Sequence, residues 1–84
     1  MKYLVRVEIR LRKDLHDPEG TVTLSCLQDL GLRQVRSVRS GKVYYLEVET
    51  NSKEEAFKIA DEACRRLLAN PVKDEYSIEI IAEY

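Results

Sequence analysis

The sequence has few of the residues on which many enzymes and disulfide-stabilised domains depend. Its 84 residues include one histidine, His16, and two cysteines, Cys26 and Cys64. The cysteines are far apart, each within a helix-like pattern, and no Cys-x-x-Cys pair is present, so neither a zinc site nor a disulfide framework is indicated. This cysteine usage favours a reduced, cytoplasmic protein. We expect both thiols to pack against apolar neighbours.

The sequence also lacks an excess of charge of either sign. Its 14 lysines and arginines face 15 acidic residues, which gives a net charge of -1. A protein held mainly by phosphate contacts should be basic, so we expect no nucleic-acid partner. No apolar run is long enough to span a bilayer, so we expect no membrane partner either. The segment "DPEG" at 17–20 has one glycine and two acids and is no phosphate loop.

No set of residues in the sequence forms a catalytic constellation. His16 precedes Asp17, but Asp17 is better placed as a helix cap than as the orienter of a catalytic base. Neither cysteine has a neighbour that would activate it as a nucleophile. We therefore predict no catalytic residue, no cofactor-binding residue and no metal ligand in this chain.

The first third of the chain predicts a strand followed by a helix. Residues 2–12 alternate between apolar and charged side chains, as in a half-buried strand. Asp17 fits the N-cap of the helix, with Pro18 at its first position, and Gly31 fits its end. The apolar residues at helical spacing, expected on the buried side of this helix, are Val22, Cys26, Leu27 and Leu30.

The middle of the chain predicts a β-hairpin. Residues 32–50 read as two strands around a turn at Ser40-Gly41, where glycine allows a positive φ. The basic residues of its first arm are best explained as charges that protect an edge strand from stray pairing. The alternative is a contact with an anion or a partner. These basic residues are Arg33, Arg36, Arg39 and Lys42.

The last third predicts a second helix and a final strand. Ser52 and Glu55 form a capping-box pattern, and Asn70-Pro71 ends the helix because proline has no N–H and restricts the residue before it. Residues 76–82 then alternate as a strand. The expected buried stripe of the second helix comprises Ala56, Phe57, Ala60, Ala63, Cys64, Leu67 and Leu68.

The order of these elements predicts a single α+β domain over residues 1–84. The order β-α-β-β-α-β is that of the ferredoxin-like fold, with two helices on one face of a four-stranded antiparallel sheet. A chain this short buries a thin core, so self-association is a common source of further stability.

The face of the sheet away from the helices carries a candidate interface. Leu4, Tyr45 and Ile81 interrupt its charged pattern, and the expected strand order brings them close together. A cluster of exposed apolar residues suggests a contact site. An RNA-binding domain of the same fold would need stacking aromatics that these strands lack. A small-molecule-binding regulatory module remains the alternative.

Several short motifs, taken together, resemble those of the PurS family, the small subunit of phosphoribosylformylglycinamidine synthase. The motifs are "HDPEG" at 16–20, Gly31, "VRSVRSGK" at 35–42, "CRRLLANPV" at 64–72 and Tyr76. The residues that match the family pattern are Asp17, Pro18, Gly20, Gly31, Gly41, Lys42, Leu68, Asn70, Pro71 and Tyr76. Two positions depart from it: Lys73 stands where relatives often carry an apolar residue, and Glu19 where glutamine is common.

The resemblance implies a non-catalytic assembly subunit of purine biosynthesis. In that family the small subunit bridges a synthetase subunit, PurL, and a glutaminase subunit, PurQ, and supports ammonia transfer between them. The complex uses ATP and Mg²⁺, with no cofactor expected in this chain. The resemblance also implies a homodimer or higher homo-oligomer. The independent small-molecule-binding module stays as the rival hypothesis.

Overall fold

A three-stranded antiparallel sheet forms the centre of the molecule. The computed structural model describes all 84 residues. Its elements are β1 (Lys2–Leu11), α1 (Pro18–Asp29), β2 (Gly41–Glu49), α2 (Lys53–Ala63), a π-helical turn (Cys64–Leu68) that continues α2, and β3 (Asp74–Glu83). β1 lies between β2 and β3 and is antiparallel to both. The predicted α+β class with two helices is confirmed.

The core lies between one face of the sheet and α2. The alternation in β1 puts Tyr3, Val5, Val7 and Ile9 on this covered face, where all four are buried. The residues of α2 and its π-helical turn that meet them are small and fully buried: Ala56, Ala60 and Cys64. Small side chains let the helix approach the strands closely, so the core is thin.

The predicted hairpin, and with it the fourth strand, is absent. Residues 32–40 form no strand, and Gly41 is the first residue of β2 rather than part of a hairpin turn. Two contacts with other parts of the chain account for this. The Ser40 N–H donates to the Asp17 carboxylate, and the Val35 carbonyl accepts from the Gln28 side chain. The segment is thus held to α1 instead of pairing with β2.

The prediction that both helices cover the sheet is also wrong, because α1 makes almost no contact with the sheet or with α2. The molecule is correspondingly elongated, 50 × 28 × 14 Å, with a radius of gyration of 16.2 Å. A compact chain of this length would have a radius of about 12 Å. Several residues predicted to be buried are exposed instead: Val22 and Cys26 in α1, Leu30 directly after it, Phe57 in α2, and Leu67 in the π-helical turn.

Both helices begin at the predicted caps and α1 ends at the predicted glycine, whereas α2 ends at Ala63 and continues to Leu68 as a π-helical turn that the sequence did not predict. The Asp17 and Ser52 side chains accept from the Gly20 and Glu55 N–H groups. Gly31, with φ of 95°, follows α1 in the left-handed region that favours glycine. The Gly31 and Leu32 N–H groups donate to the carbonyls of Gln28 and Leu27, which is the Schellman pattern. Neither helix is long and apolar enough to cross a membrane.

Candidate functional site

The Asp17 carboxylate joins two of the motifs at the end of the sheet. It is only 4% exposed, yet it accepts hydrogen bonds from the Gly20 N–H at 3.0 Å and the Ser40 N–H at 2.6 Å. The Ser40 hydroxyl donates to the same carboxylate at 2.9–3.0 Å. We call Asp17, Gly20 and Ser40 the Asp17 clasp. It ties the start of α1 to the start of β2, although Asp17 and Ser40 are 23 residues apart.

The clasp holds Asp17 in its charged form. Its hydrogen bonds from the Gly20 N–H and then from the Ser40 N–H lower the pKa of Asp17 from 3.8 to about 2, against the opposing effect of desolvation. The Arg39 guanidinium adds a smaller effect in the same direction. A Cβ on Gly20 would collide with the Val38 carbonyl, so the glycine allows the two segments to approach.

Arg39 and Arg12 extend this connection to the turn after α2. Arg39 donates to the carbonyls of Leu15 and Arg12, both at 2.9 Å. Arg12 in turn donates to the carbonyls of Pro71 at 3.1 Å and Val72 at 3.3 Å. Arginine suits this task because its planar group carries several donors in a fixed geometry. The sequence analysis interpreted Arg39 as an edge charge or a partner contact and did not single out Arg12, so it predicted neither of these backbone contacts.

The Asn-Pro turn, residues 70–74, is also held from within. The Asn70 side chain accepts from the Val72 N–H at 2.9 Å, and the Asp74 side chain accepts from the Asn70 N–H at 2.8 Å. Such local bonds from Asn and Asp side chains stabilise turns. The predicted helix stop at Asn70-Pro71 is therefore confirmed, and two side-chain hydrogen bonds hold the turn that follows.

Three of the sequence motifs converge at the edge of the sheet. A cleft of about 150 Å³ is lined in part by Gly41, Lys42 and Leu68, together with Glu19 and Lys73. A second cleft, of about 340 Å³, lies beside it. Its charged lining residues are of mixed sign: Glu8, Arg10, Lys13, Arg39 and Glu75. Of the motif residues, Gly41, Lys42 and Leu68 thus meet at this cleft, and Asp17 and Gly20 belong to the adjoining clasp, whereas Gly31 follows α1 and Tyr76 lies on β3.

Tyr76 attaches α2 to β3. Its hydroxyl donates to the Asp61 carboxylate at 2.7 Å, and Arg65 donates to the other oxygen of the same carboxylate at 2.9 Å. The hydrogen bond to Asp61 is the main cause of the raised pKa of Tyr76 and of the lowered pKa of Asp61. This motif residue therefore has a clear structural role.

The candidate interface lies on the open face of the sheet, the face that no helix covers. Leu4 is half-buried, while Tyr45 is 62% exposed and lies diagonally opposite it across the β1–β2 pair. Ile81 is exposed beside Ala82, the partner of Leu4, where the register of β3 shifts. Leu4 and Tyr45 thus share one end of this face, and Ile81 lies at the unpaired position of β3 next to it.

Ion pairs occupy the middle of the open face. Glu8 accepts from Arg6 at 3.1 Å and from Arg10 at 2.7 Å, and Arg10 also lies 3.6 Å from Glu75. The hydrogen bonds from Arg10 and then Arg6 lower the pKa of Glu8. These pairs make the open face strongly polar around the apolar candidate interface.

The remaining reactive side chains are separate from one another. His16 and Cys26 are exposed, whereas Cys64 is fully buried and its thiol pKa is raised by desolvation. The expectation of two packed thiols is therefore confirmed for Cys64 and wrong for Cys26. No three His, Cys, Asp or Glu side chains are grouped so that they could hold a metal ion.

The low pKa of Asp17 predicts a specific loss of stability in acid. In the unfolded chain the pKa of Asp17 would be near its ordinary value of about 3.9. Between about pH 4 and pH 2 the unfolded state therefore binds more protons than the folded state. Stability therefore rises with pH through this window and falls as the pH is lowered. We expect urea unfolding at several pH values to show that wild type has a larger free energy of unfolding than Asp17→Asn at pH 5. This difference should become smaller as the pH is lowered to 2. A gap that stays constant would contradict this assignment.

Comparison with known proteins assigns the family. Residues 4–82 match the model of the family described as PurS: phosphoribosylformylglycinamidine (FGAM) synthase. The PurS subunit of Archaeoglobus fulgidus is 44% identical over 72 residues, which cover 86% of this chain and 90% of that protein. The PurS subunit of Synechocystis is 40% identical over 80 residues, covering 95% and 80%.

Solved structures agree with the sequence comparisons. A chain in the structure of PurLQS from Thermotoga maritima superposes with a TM-score of 0.91 at 32% identity, covering 96% of this chain and 99% of that one. The crystal structure of Methanocaldococcus jannaschii PurS gives 0.88 at 30% identity, covering 98% and 99%. The chain belongs to the PurS family of phosphoribosylformylglycinamidine synthase.

Proposed function

We propose that this chain is the non-catalytic subunit that bridges the synthetase, PurL, and the glutaminase, PurQ, and supports ammonia transfer between them. The observation that carries this proposal is the close similarity, over nearly the whole chain, to a chain in the structure of PurLQS. The complex would act in the cytoplasm, with ATP and Mg²⁺ bound by the synthetase. No specific observation favours the rival small-molecule-binding module.

The geometry of the motif residues supports a structural role. Asp17, Gly20 and Asn70 hold segments of backbone together, and Tyr76 holds α2 to β3. The hydrogen bonds of the Asp17 carboxylate are all made within the chain, and they keep it charged and lower its pKa. A proton-transferring carboxylate would instead need a pKa nearer neutrality and access to a substrate. The motif thus preserves a shape that partners can recognise.

Two surfaces offer apolar contacts to such partners. One is the candidate interface on the open face, and the other is formed by the Asn-Pro turn and Leu67, three residues before it. Leu67 and Val72 are each 82% exposed there, although the backbone around them is held by Arg12 and Asn70. A preformed apolar surface binds with little loss of conformational freedom, so it suits a permanent assembly.

Reconstitution tests the proposed function. The chain is mixed with the synthetase and glutaminase of the same source, and amidine formation is measured with either glutamine or ammonium as the nitrogen donor. We expect glutamine-driven activity to require the chain and ammonium-driven activity to persist without it. If glutamine-driven and ammonium-driven activity are each the same with and without the chain, the bridging role is wrong.

A charge on the candidate interface should weaken assembly. Tyr45→Asp places a carboxylate on the open face, and we expect roughly a tenfold weaker association or more, since interface tyrosines often contribute that much. Analytical ultracentrifugation of the isolated chain and of the three-subunit mixture would measure the effect. Gln34→Asp adds the same charge at an exposed loop position and is the matched control. Equal assembly by both variants would rule out this interface.

A further inference from the structure

Five cations at one end of the sheet have no ion-pair partner within the chain. All five side chains are exposed, and the ion pairs of the molecule involve other lysines and arginines. We call these five residues the basic patch: Arg12, Lys13, Arg39, Lys42 and Lys73. Arg39 and Lys42 belong to the motif "VRSVRSGK". Since residues 32–40 form no strand, protection of an edge strand does not account for Arg39.

The basic patch surrounds one depression, where β1 ends and β2 and β3 begin. Lys13 and Arg39 line the cleft of about 340 Å³. Lys42 and Lys73 line the cleft of about 150 Å³ beside it. Gly41 lines both clefts, so the two are parts of one surface.

The two arginines of the basic patch are held in place and still have free donors. Arg39 donates to the carbonyls of Leu15 and Arg12. Arg12 donates to the carbonyls of Pro71 and Val72. A guanidinium has five N–H donors, so each arginine retains three for a ligand, and a carbonyl carries no net charge that would neutralise it. Arginines fixed in this way bind carboxylates with little loss of conformational freedom.

The carboxylates that line the same clefts already have partners, with one exception. Glu8 and Glu75 are paired with arginine. Asp74 accepts from the Asn70 N–H at 2.8 Å. Glu19 alone among them makes no hydrogen bond or ion pair within the chain. The basic patch therefore keeps unpaired positive charge, which suits acidic groups from another molecule.

The charge distribution favours a protein segment over a nucleic acid as the ligand. Residues 1–42 carry nine lysines and arginines against five acids, whereas residues 43–84 carry five against ten. The acidic second half would repel a long polyanion, but a short acidic segment can bind at the patch alone. Val72, whose carbonyl Arg12 binds, is 82% exposed and offers an apolar contact that a protein side chain can use.

We infer that the basic patch binds a segment of a partner subunit that is rich in aspartate and glutamate. The carboxylates of this segment lie in the two clefts, and an apolar side chain of the same segment packs on Val72. This inference rests on the proposed function and names one docking surface for it. Charges at such a surface speed association and select the partner. The Asn-Pro turn, which Arg12 holds, then lies within the interface.

Charge reversal of single lysines tests the basic patch. Lys42→Glu and Lys73→Glu each replace an exposed cation, and Lys58→Glu on α2 is the matched control because Lys58 is also exposed and also has no ion pair. The dissociation constant of each variant is measured against the mixture of synthetase and glutaminase, with ATP, Mg²⁺ and glutamine present. At low salt we expect each patch variant to raise this constant about fivefold or more, and Lys58→Glu to leave it unchanged. The difference should shrink at high salt.

Other results would overturn the inference. Equal constants for the patch variants and Lys58→Glu would exclude the basic patch as a docking surface and leave the proposed function standing. If the patch variants change only the self-association of the isolated chain, the patch pairs with acidic residues of a second copy and the inference is wrong. If the wild-type chain does not bind the mixture at all, the inference and the proposed function are both wrong.

Competition by anions tests the kind of ligand without any substitution. A short polyglutamate peptide and inorganic phosphate are each added to the assembled complex at matched ionic strength. We expect the peptide to displace the wild-type chain and phosphate to have no effect, because only the peptide presents several carboxylates to the five cations at once. Equal displacement by phosphate would mean that the basic patch takes any small anion, and the inference would be wrong.

Discussion

Asp17→Ala is expected to lower the melting temperature by roughly 10 °C or more. Losing a helix cap is by itself destabilising, and the Asp17 side chain also binds Ser40. The substitution leaves the N–H groups of Gly20 and Ser40 without their acceptor, and the Ser40 hydroxyl as well. Buried donors without acceptors destabilise a fold more than the lost bonds themselves. Differential scanning calorimetry at fixed protein concentration would measure the change.

Asp14→Ala is the matched control for Asp17→Ala. Asp14 has the same side chain three residues earlier, but it is exposed. We expect its replacement to change the melting temperature by no more than about 2 °C, as for most surface substitutions. Equal effects at both positions would mean that the Asp17 clasp contributes nothing to stability. Circular dichroism of the folded variant would show whether α1 is the part that is lost.

Val7→Ala is expected to reduce the free energy of unfolding by about 2–3 kcal/mol, because it removes buried methyl groups and leaves a cavity. Val7 is fully buried at the centre of β1, where neighbouring strands lie on both sides and α2 lies above. The core has few large buried side chains, so little else can move to fill the space. Urea unfolding followed by circular dichroism would give the value.

Val43→Ala removes the same atoms from a position that matters much less. Val43 is on β2, opposite Glu8, and its side chain is exposed on the open face. We expect a loss below about 1 kcal/mol, which reflects β-propensity more than burial. Similar losses for the two variants would place the core of the molecule elsewhere than between β1 and α2.

Local signals in the sequence predicted the elements that depend on local physics. The alternation of β1, the caps Asp17 and Ser52, the glycine after α1 and the Asn-Pro stop are all set by residues within a few positions of each other. The structure agrees at each of them. The same is true of the burial of Ala56, Ala60 and Cys64, which follows from helical spacing.

The predictions that depended on distant contacts were wrong or incomplete. Residues 32–40 resemble an edge strand in composition, yet the bond from the Ser40 N–H to Asp17, 23 residues away, holds them elsewhere. Arg39 and Arg12 donate to backbone carbonyls. Every residue has a backbone carbonyl, so the sequence does not indicate which of them these arginines bind. The helical pattern of α1 predicted a buried side, but Val22, Cys26 and Leu30 are exposed because α1 makes almost no contact with the sheet or with α2.

The few contacts of α1 predict that the molecule opens in two steps, since α1 is held mainly by the Asp17 clasp and by the bond from Gln28 to Val35. We expect the sheet with α2 to unfold as a whole and α1 to open locally when the Asp17 clasp breaks. Amide hydrogens of α1 would then exchange with solvent through this local opening, and those of β1 through global unfolding. The rate of exchange along α1 therefore reports directly on how well the clasp is closed, separately from the stability of the sheet.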